Sequence, residues 1–122
     1  NTDNDHLPHN YPVNCCAYTG THDNMPVMQW YREADSASRQ MAKRYLNKGL
    51  FEKFNSCCIR AVYASPAQLA IIPMQDILGL GRESRMNLPS TVGGNWRWRM
   101  LPGKTTDKLA AKLNSLAVTY FR

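Results

Sequence analysis

Two short runs of the chain are dominated by apolar residues, and each is closed by a polar cluster. Residues 13–18 supply Val, Cys, Cys, Ala and Tyr, and residues 69–74 read Leu-Ala-Ile-Ile-Pro-Met. Neither shows the alternation of a half-exposed strand, so both predict strands buried on both faces. Between them the spacing becomes helical. Helices are predicted over about 27–34 and 36–47, with Asn24 able to cap the first and Pro26 suited to its opening turn, where no N–H donor is needed. Gly49 offers a stop. A third helix begins near Leu50, with Leu50, Phe54, Cys57, Cys58 and Ala61 on one apolar face, and Ser65-Pro66 breaks it.

The remaining segments carry weaker patterns. The first ten residues are polar, contain Pro8 and read as a loop. Residues 82–104 are rich in Arg, Asn, Gly, Pro and Trp without a period, which predicts a long ordered loop. A last helix starts near Thr105 or Thr106, and its single stripe of Leu109, Leu113, Leu116 and Tyr120 would pack on one side only. The order is strand, helices, strand, loop, helix, which predicts an α/β fold with a right-handed crossover between parallel strands. A parallel sheet needs neighbours at both edges and helices on both faces. Two strand candidates cannot meet that need, so the sequence reads as part of a larger α/β fold.

Length and composition narrow the picture. With 122 residues, 43% hydrophobic and 20% charged, the chain can bury one modest core, and disorder, collagen and low complexity are excluded. No apolar run approaches the roughly 18 residues of a membrane span. The polar opening Asn1-Thr2-Asp3-Asn4-Asp5 does not resemble a secretory leader. A soluble, cytoplasmic protein without a membrane partner is expected. The four cysteines stand as adjacent pairs, Cys15-Cys16 and Cys57-Cys58, without the spacing that brings two thiolates to one zinc ion. Buried, reduced thiols are expected, and no metal or other cofactor.

The net charge of +6 is unevenly placed. Residues 1–81 carry seven basic and seven acidic residues, whereas residues 82–122 carry eight basic and two acidic. Such polarity suits either an electrostatic docking face or a piece separated from acidic surroundings.

The candidate chemistry sits where each strand run ends: Thr21-His22-Asp23-Asn24 after the first and Gln75-Asp76 after the second. In α/β barrels, polar groups at the C-terminal ends of strands converge on one pocket. His22 and Asp23 offer a donor and a charged acceptor suited to vicinal sugar hydroxyls. They equally suit a turn histidine beside a helix-capping aspartate, and Asp76 could cap a short helix in the same way. Asn95-Trp96-Arg97-Trp98-Arg99 alternates indoles with guanidiniums, as either a stacking platform for sugars or bases or a plug of buried Trp and paired Arg.

Five motifs in order carry a resemblance: Leu7-Pro8-His9-Asn10; Tyr18-Thr19-Gly20-Thr21-His22-Asp23-Asn24 with Trp30-Tyr31 after it; Pro73-Met74-Gln75-Asp76-Ile77-Leu78-Gly79-Leu80-Gly81; Arg85-Met86-Asn87-Leu88-Pro89; and Gly94-Asn95-Trp96-Arg97-Trp98-Arg99. Together they resemble the C-terminal part of amylomaltase, the 4-α-glucanotransferase family of maltodextrin metabolism. The resemblance implies a (β/α)8 barrel with inserted subdomains, of which residues 1–122 would be about strands seven and eight with their helices. A complete barrel takes about 250 residues, so the chain would not be a complete catalytic domain.

The resemblance also implies retaining transfer of α-1,4-glucan units between maltodextrins, which uses two carboxyl groups about 5–5.5 Å apart. In the family these come from strands four and five, and nothing here matches them, so the segment alone is expected to be inactive. Asp23 matches the family's third catalytic carboxylate, which binds the sugar hydroxyls at the cleavage subsite and stabilises the oxocarbenium-like state. His22 would hydrogen-bond beside it, Asn87 would reach the same subsite, and Gln75 and Asp76 would lie near the pocket floor as substrate-binding residues. Met25-Pro26 stands where Asp-Thr is common and Ser90 where Gly is common, which alters the neighbouring loops. The implied partners are maltodextrin or starch-derived glucans and the remainder of the barrel, and no nucleic-acid partner is expected. Two competing readings use the C-terminal third instead: a basic nucleic-acid-binding module, and a non-catalytic glucan-binding module with Trp96 and Trp98 as its platform.

Overall fold

Both apolar runs form strands, but only three residues of each enter the ladder. In the computed structural model, which describes residues 3–122, β1 (Cys16–Tyr18) pairs in parallel with β2 (Leu69–Ile71). The register sets Cys16 opposite Leu69, Ala17 opposite Ala70 and Tyr18 opposite Ile71. Asn1 and Thr2, the start of the expected entry loop, lie outside the described residues. Residues 13–15 bend before β1, although the Val13 carbonyl still accepts from Gln68 N–H at 2.8 Å. Beyond β2, Pro73 has no N–H to give a ladder and instead precedes a helix.

Burial on both faces is not found within this chain. Ala17 is buried, but Tyr18, Leu69 and Ile71 are about half exposed, at 48%, 55% and 53%. Successive side chains of a strand face opposite ways, so one face meets the helices and the other is open. The packed face joins Ala17, Val62 and Ala67, with Tyr11, Cys15, Ala70 and Ile72 against them.

Helices α1 (Val27–Glu33), α2 (Ser36–Tyr45) and α3 (Phe54–Ala64) connect the strands. Asn24 does not cap α1. Its side chain accepts from Thr21 N–H at 2.8 Å and Thr21 Oγ1 at 2.9 Å, closing the preceding turn. The first free amide of α1, on Val27, donates instead to Asp76 Oδ1 at 2.9 Å. Asp35 caps α2 by accepting from Ser38 N–H at 2.9 Å. The turn after α2 is made by Asn47, at φ 47°, rather than by Gly49.

The third helix begins at Phe54, later than its apolar spacing predicts. Leu50 and Phe51 lie in the preceding turn and are exposed, at 86% and 95%. Glu52 holds that turn to α3 through Arg60, whose Nε and Nη2 donate to its carboxylate at 3.0 and 3.1 Å. Phe54 stacks on Tyr31 at 4.3 Å and on Trp30 at 5.7 Å between ring centres, which joins α1 to α3. All four cysteines are free thiols; Cys57 is buried, Cys15 and Cys58 are half-buried and, against expectation, Cys16 is exposed on the open sheet face. Burial pushes the Cys57 thiol up to about 11 and the Cys58 thiol up to about 12, so both stay protonated.

After β2 comes α4 (Met74–Leu78), stopped by Gly79 at φ 68°. A Cβ there would lie 3.1 Å from Asn55 Nδ2, which donates to the Asp76 carbonyl at 2.8 Å. The expected loop over 82–104 holds only a short 3-10 turn (Arg82–Ser84). The last helix, α5 (Asp107–Thr119), is capped by Thr106 and half-buries the predicted stripe of Leu109, Leu113, Leu116 and Tyr120. Arg122 straps its end to α3, donating to the carbonyls of Tyr63 at 2.7 Å and Ser65 at 2.8 Å.

Candidate functional site

The parallel register places the polar ends of β1 and β2 side by side, and the loop after α4 folds back over them. Asn87 is the meeting point. Its N–H donates to the His22 carbonyl at 3.2 Å, and its Nδ2 donates to Asp23 Oδ1 at 2.7 Å. His22 Nε2 lies 3.3 Å from the same Oδ1. Among the described residues none donates a hydrogen bond to Asp23 Oδ2, which leaves an acceptor for a ligand hydroxyl. Both side chains are open to solvent, His22 at 56% and Asp23 at 48%.

Arg85 clamps the two segments together, an arrangement not read from the sequence. Its Nη2 donates to the Asp23 carbonyl and its Nε to the Asn87 carbonyl, both at 2.9 Å. Trp96, either a stacking platform or a buried plug on the sequence alone, also reaches the site. Its indole packs on the His22 ring at 5.1 Å between centres, tilted by 38°. The position of Arg85, two residues before Asn87 in the same motif, was the available signal.

His22 lines a cleft of about 390 Å³, with Gln75, Asp76, Tyr18 and Arg85 also in its wall. Asp23 faces an adjoining hollow of about 510 Å³, whose wall shares Tyr18 and Arg85. Gln75 donates from Nε2 to the Ser84 carbonyl at 3.2 Å. Asp76 is only 2% exposed, and its carboxylate accepts from the Thr19 hydroxyl and Val27 N–H. Burial pushes its carboxyl above the usual carboxylate range, while those two hydrogen bonds act the other way. It caps no helix of its own; it lies within α4 and ties the ends of β1 and α1 to it.

Among the described residues no group of three His, Cys, Asp or Glu is placed to hold a metal ion. Nor is any helix among the described residues long and apolar enough to cross a membrane. Several cations of the basic third are used within the chain. Arg82 pairs with Glu33 at 2.7 Å, Arg85 forms the clamp, Lys112 donates to Ser56, and Arg122 straps α5.

This geometry has relatives. The 4-alpha-glucanotransferase family model matches residues 1–105. A chloroplastic/amyloplastic 4-alpha-glucanotransferase of Arabidopsis thaliana is 44% identical over 93% of this chain and 20% of its own length. That of Streptococcus pneumoniae is 44% identical over 94% of this chain and 23% of its own. Amylomaltase from Streptococcus agalactiae, solved in complex with acarbose, superposes with a TM-score of 0.92 at 38% identity, covering 95% of this chain and 23% of that one. The chain thus spans between a fifth and a quarter of the length of the curated relatives it matches. A family model matching residues 1–105, and a close superposition over 95% of the chain, show that the chain belongs to the 4-alpha-glucanotransferase family.

Proposed function

We propose that this chain forms the seventh and eighth βα units of a (β/α)8 4-α-glucanotransferase, which transfers α-1,4-glucan units between maltodextrins with retention. Its half-exposed strand residues Tyr18, Leu69 and Ile71 are the surface on which the other barrel strands pack. The protonated thiols of Cys57 and Cys58 suit a cytoplasmic setting. The nucleophile and the acid/base carboxyl lie on strands outside this segment.

One observation carries the reading: Asp23 is held at a strand end by Asn87 through Oδ1, with His22 Nε2 3.3 Å from the same oxygen, while among the described residues nothing donates to its Oδ2. A carboxylate fixed in this way binds sugar hydroxyls most tightly when the ring flattens and gains positive charge. That difference between ground and transition states is what raises turnover. His22 supplies a neighbouring donor, Asn87 orients the carboxylate, and Gln75 forms part of the cleft wall. Asp76 serves the site from behind, by joining the segments that carry it.

The test is disproportionation of maltotriose by the full-length protein. Asp23→Asn should lower kcat by about three orders of magnitude, as loss of a transition-state contact does, with an unchanged melting temperature. Near-normal turnover would remove the role. The segment of residues 1–122 alone should release no glucose; release would overturn the placement of the essential groups elsewhere.

A further inference from the structure

We infer that Trp96 is a positioning residue of the site, acting through His22, and that the chain accepts backbone strain to place it there. The inference rests on the reading proposed above. Trp96 sits at φ 62°, a left-handed conformation that a bulky side chain rarely adopts. Such strain persists only where the surroundings hold it, and it clusters at functional sites. Here the backbone is held from two sides. The Trp96 N–H donates to the Met86 carbonyl at 2.6 Å, and neighbouring Asn95 accepts from Leu88 N–H at 2.9 Å while donating to Thr91 Oγ1 at 3.0 Å.

Among the described residues the strain is not repaid by burying the indole, because Trp96 is 53% exposed there. Its ring contact is with His22, at 5.1 Å and a 38° tilt, within the range of favourable aromatic pairs. His22 needs such a wall. Its side chain is 56% exposed, and among the described residues the ring's other polar neighbour is Asp23 Oδ1, 3.3 Å from Nε2. Without the indole, an imidazole on the surface is free to rotate away from the carboxylate. With it, ring, carboxylate and Asn87 amide keep one mutual geometry. The same 85–96 loop delivers Asn87 and Trp96, one to the carboxylate and the other to the ring.

This origin of the strain gives a test that separates positioning from packing. Glycine adopts positive φ readily, so Trp96→Gly in the full-length protein removes the indole and relieves the backbone together. A structural plug predicts a fall in melting temperature. Positioning predicts a melting temperature that holds or rises, kcat on maltotriose lowered about 10- to 100-fold, and KM changed by less than about threefold, the loss expected from a misplaced group near the chemistry. Trp96→Phe should restore most of kcat. In a His22→Gln background, Trp96→Gly should change kcat by less than about twofold, because the two residues act as a unit. Unaltered kcat in Trp96→Gly, or a full additional loss in the His22→Gln background, would overturn the inference. Asp23→Asn run in parallel keeps the outcomes apart: if it stays active, the function proposed above has failed instead.

Discussion

Two aspartates end the two strands of this molecule, and they have opposite fates. Asp23, after β1, is 48% exposed, with one carboxylate oxygen held by Asn87 beside His22 Nε2 and the other without a donor among the described residues. Asp76, after β2, is 2% exposed, and both its oxygens are taken by Thr19 and Val27. A buried carboxylate with an internal donor on each oxygen can cross-link segments but has little left for a ligand. The difference separates a candidate site residue from the scaffold beneath it, although both stand in polar clusters after the strands.

Substitution of each aspartate should therefore be felt in different measurements. The largest expected effect is on turnover: Asp23→Asn in the full-length protein should cost about three orders of magnitude in kcat, without moving the urea midpoint. Asp76→Ala should do the reverse first. It leaves the Val27 amide and the Thr19 hydroxyl without their acceptor, and a loss of about 2–4 kcal/mol in urea unfolding is expected. Asp76→Asn keeps an acceptor for Val27 and should retain most of that stability. If Asp76→Asn abolished turnover at undiminished stability, the carboxylate of Asp76 would belong to the site and the contrast would collapse.

The same contrast marks what was legible in the sequence. Helices α1 and α2 lie close to where Pro26 and the helical spacing predict them, because those signals act locally. The start of α3 was misplaced: Leu50 and Phe51 continue the apolar spacing, yet they lie in a turn held by the Glu52–Arg60 pair, a contact between residues eight apart. The caps show the same limit. Asn24 is a good capping residue, but the donor of α1 is met by Asp76, 49 positions away in sequence. Burial on both strand faces was expected from composition, and it fails here because nothing among the described residues covers Tyr18, Leu69 and Ile71. The meeting of His22, Asp23 and Asn87 was anticipated from motif resemblance, whereas the Arg85 clamp and the Trp96 stack depend on how the 85–96 loop folds back. No local pattern encodes that path.

Arg85 sharpens the comparison at an intermediate scale. It holds the carbonyls of Asp23 and Asn87 with two nitrogens of one planar group, so it sets the distance between the two segments of the site without touching a carboxylate. Lysine offers one charged nitrogen and cannot span both acceptors. Arg85→Lys should lower kcat about tenfold, as a small misplacement of site groups does, and lower the unfolding free energy in urea by about 1 kcal/mol, the worth of one lost hydrogen bond. Equal kcat in the two proteins would mean that Asn87 alone holds the segments in register.

The smallest effect is electrostatic and lies far from the site, in the Glu52–Arg60 pair that seats the turn before α3. The Arg60 guanidinium holds the Glu52 carboxyl down to about 2, against an ordinary value of 4.5. A depressed folded-state value means that the pair contributes its full stability above the unfolded value of 4.5, and that the contribution fades as pH falls toward 2. Both side chains are about a quarter exposed, at 27% and 28%, so screening limits the contribution to about 1 kcal/mol. Urea unfolding of the full-length protein and of its Glu52→Gln variant should differ by that amount at pH 6 and converge near pH 2. Asp76 shifts the opposite way, its carboxyl raised by burial. Its charge therefore costs stability as pH rises from the unfolded value of 3.8 toward its raised folded value. A pH-independent gap between the parent and Glu52→Gln would show that Glu52 seats this turn by packing rather than by charge.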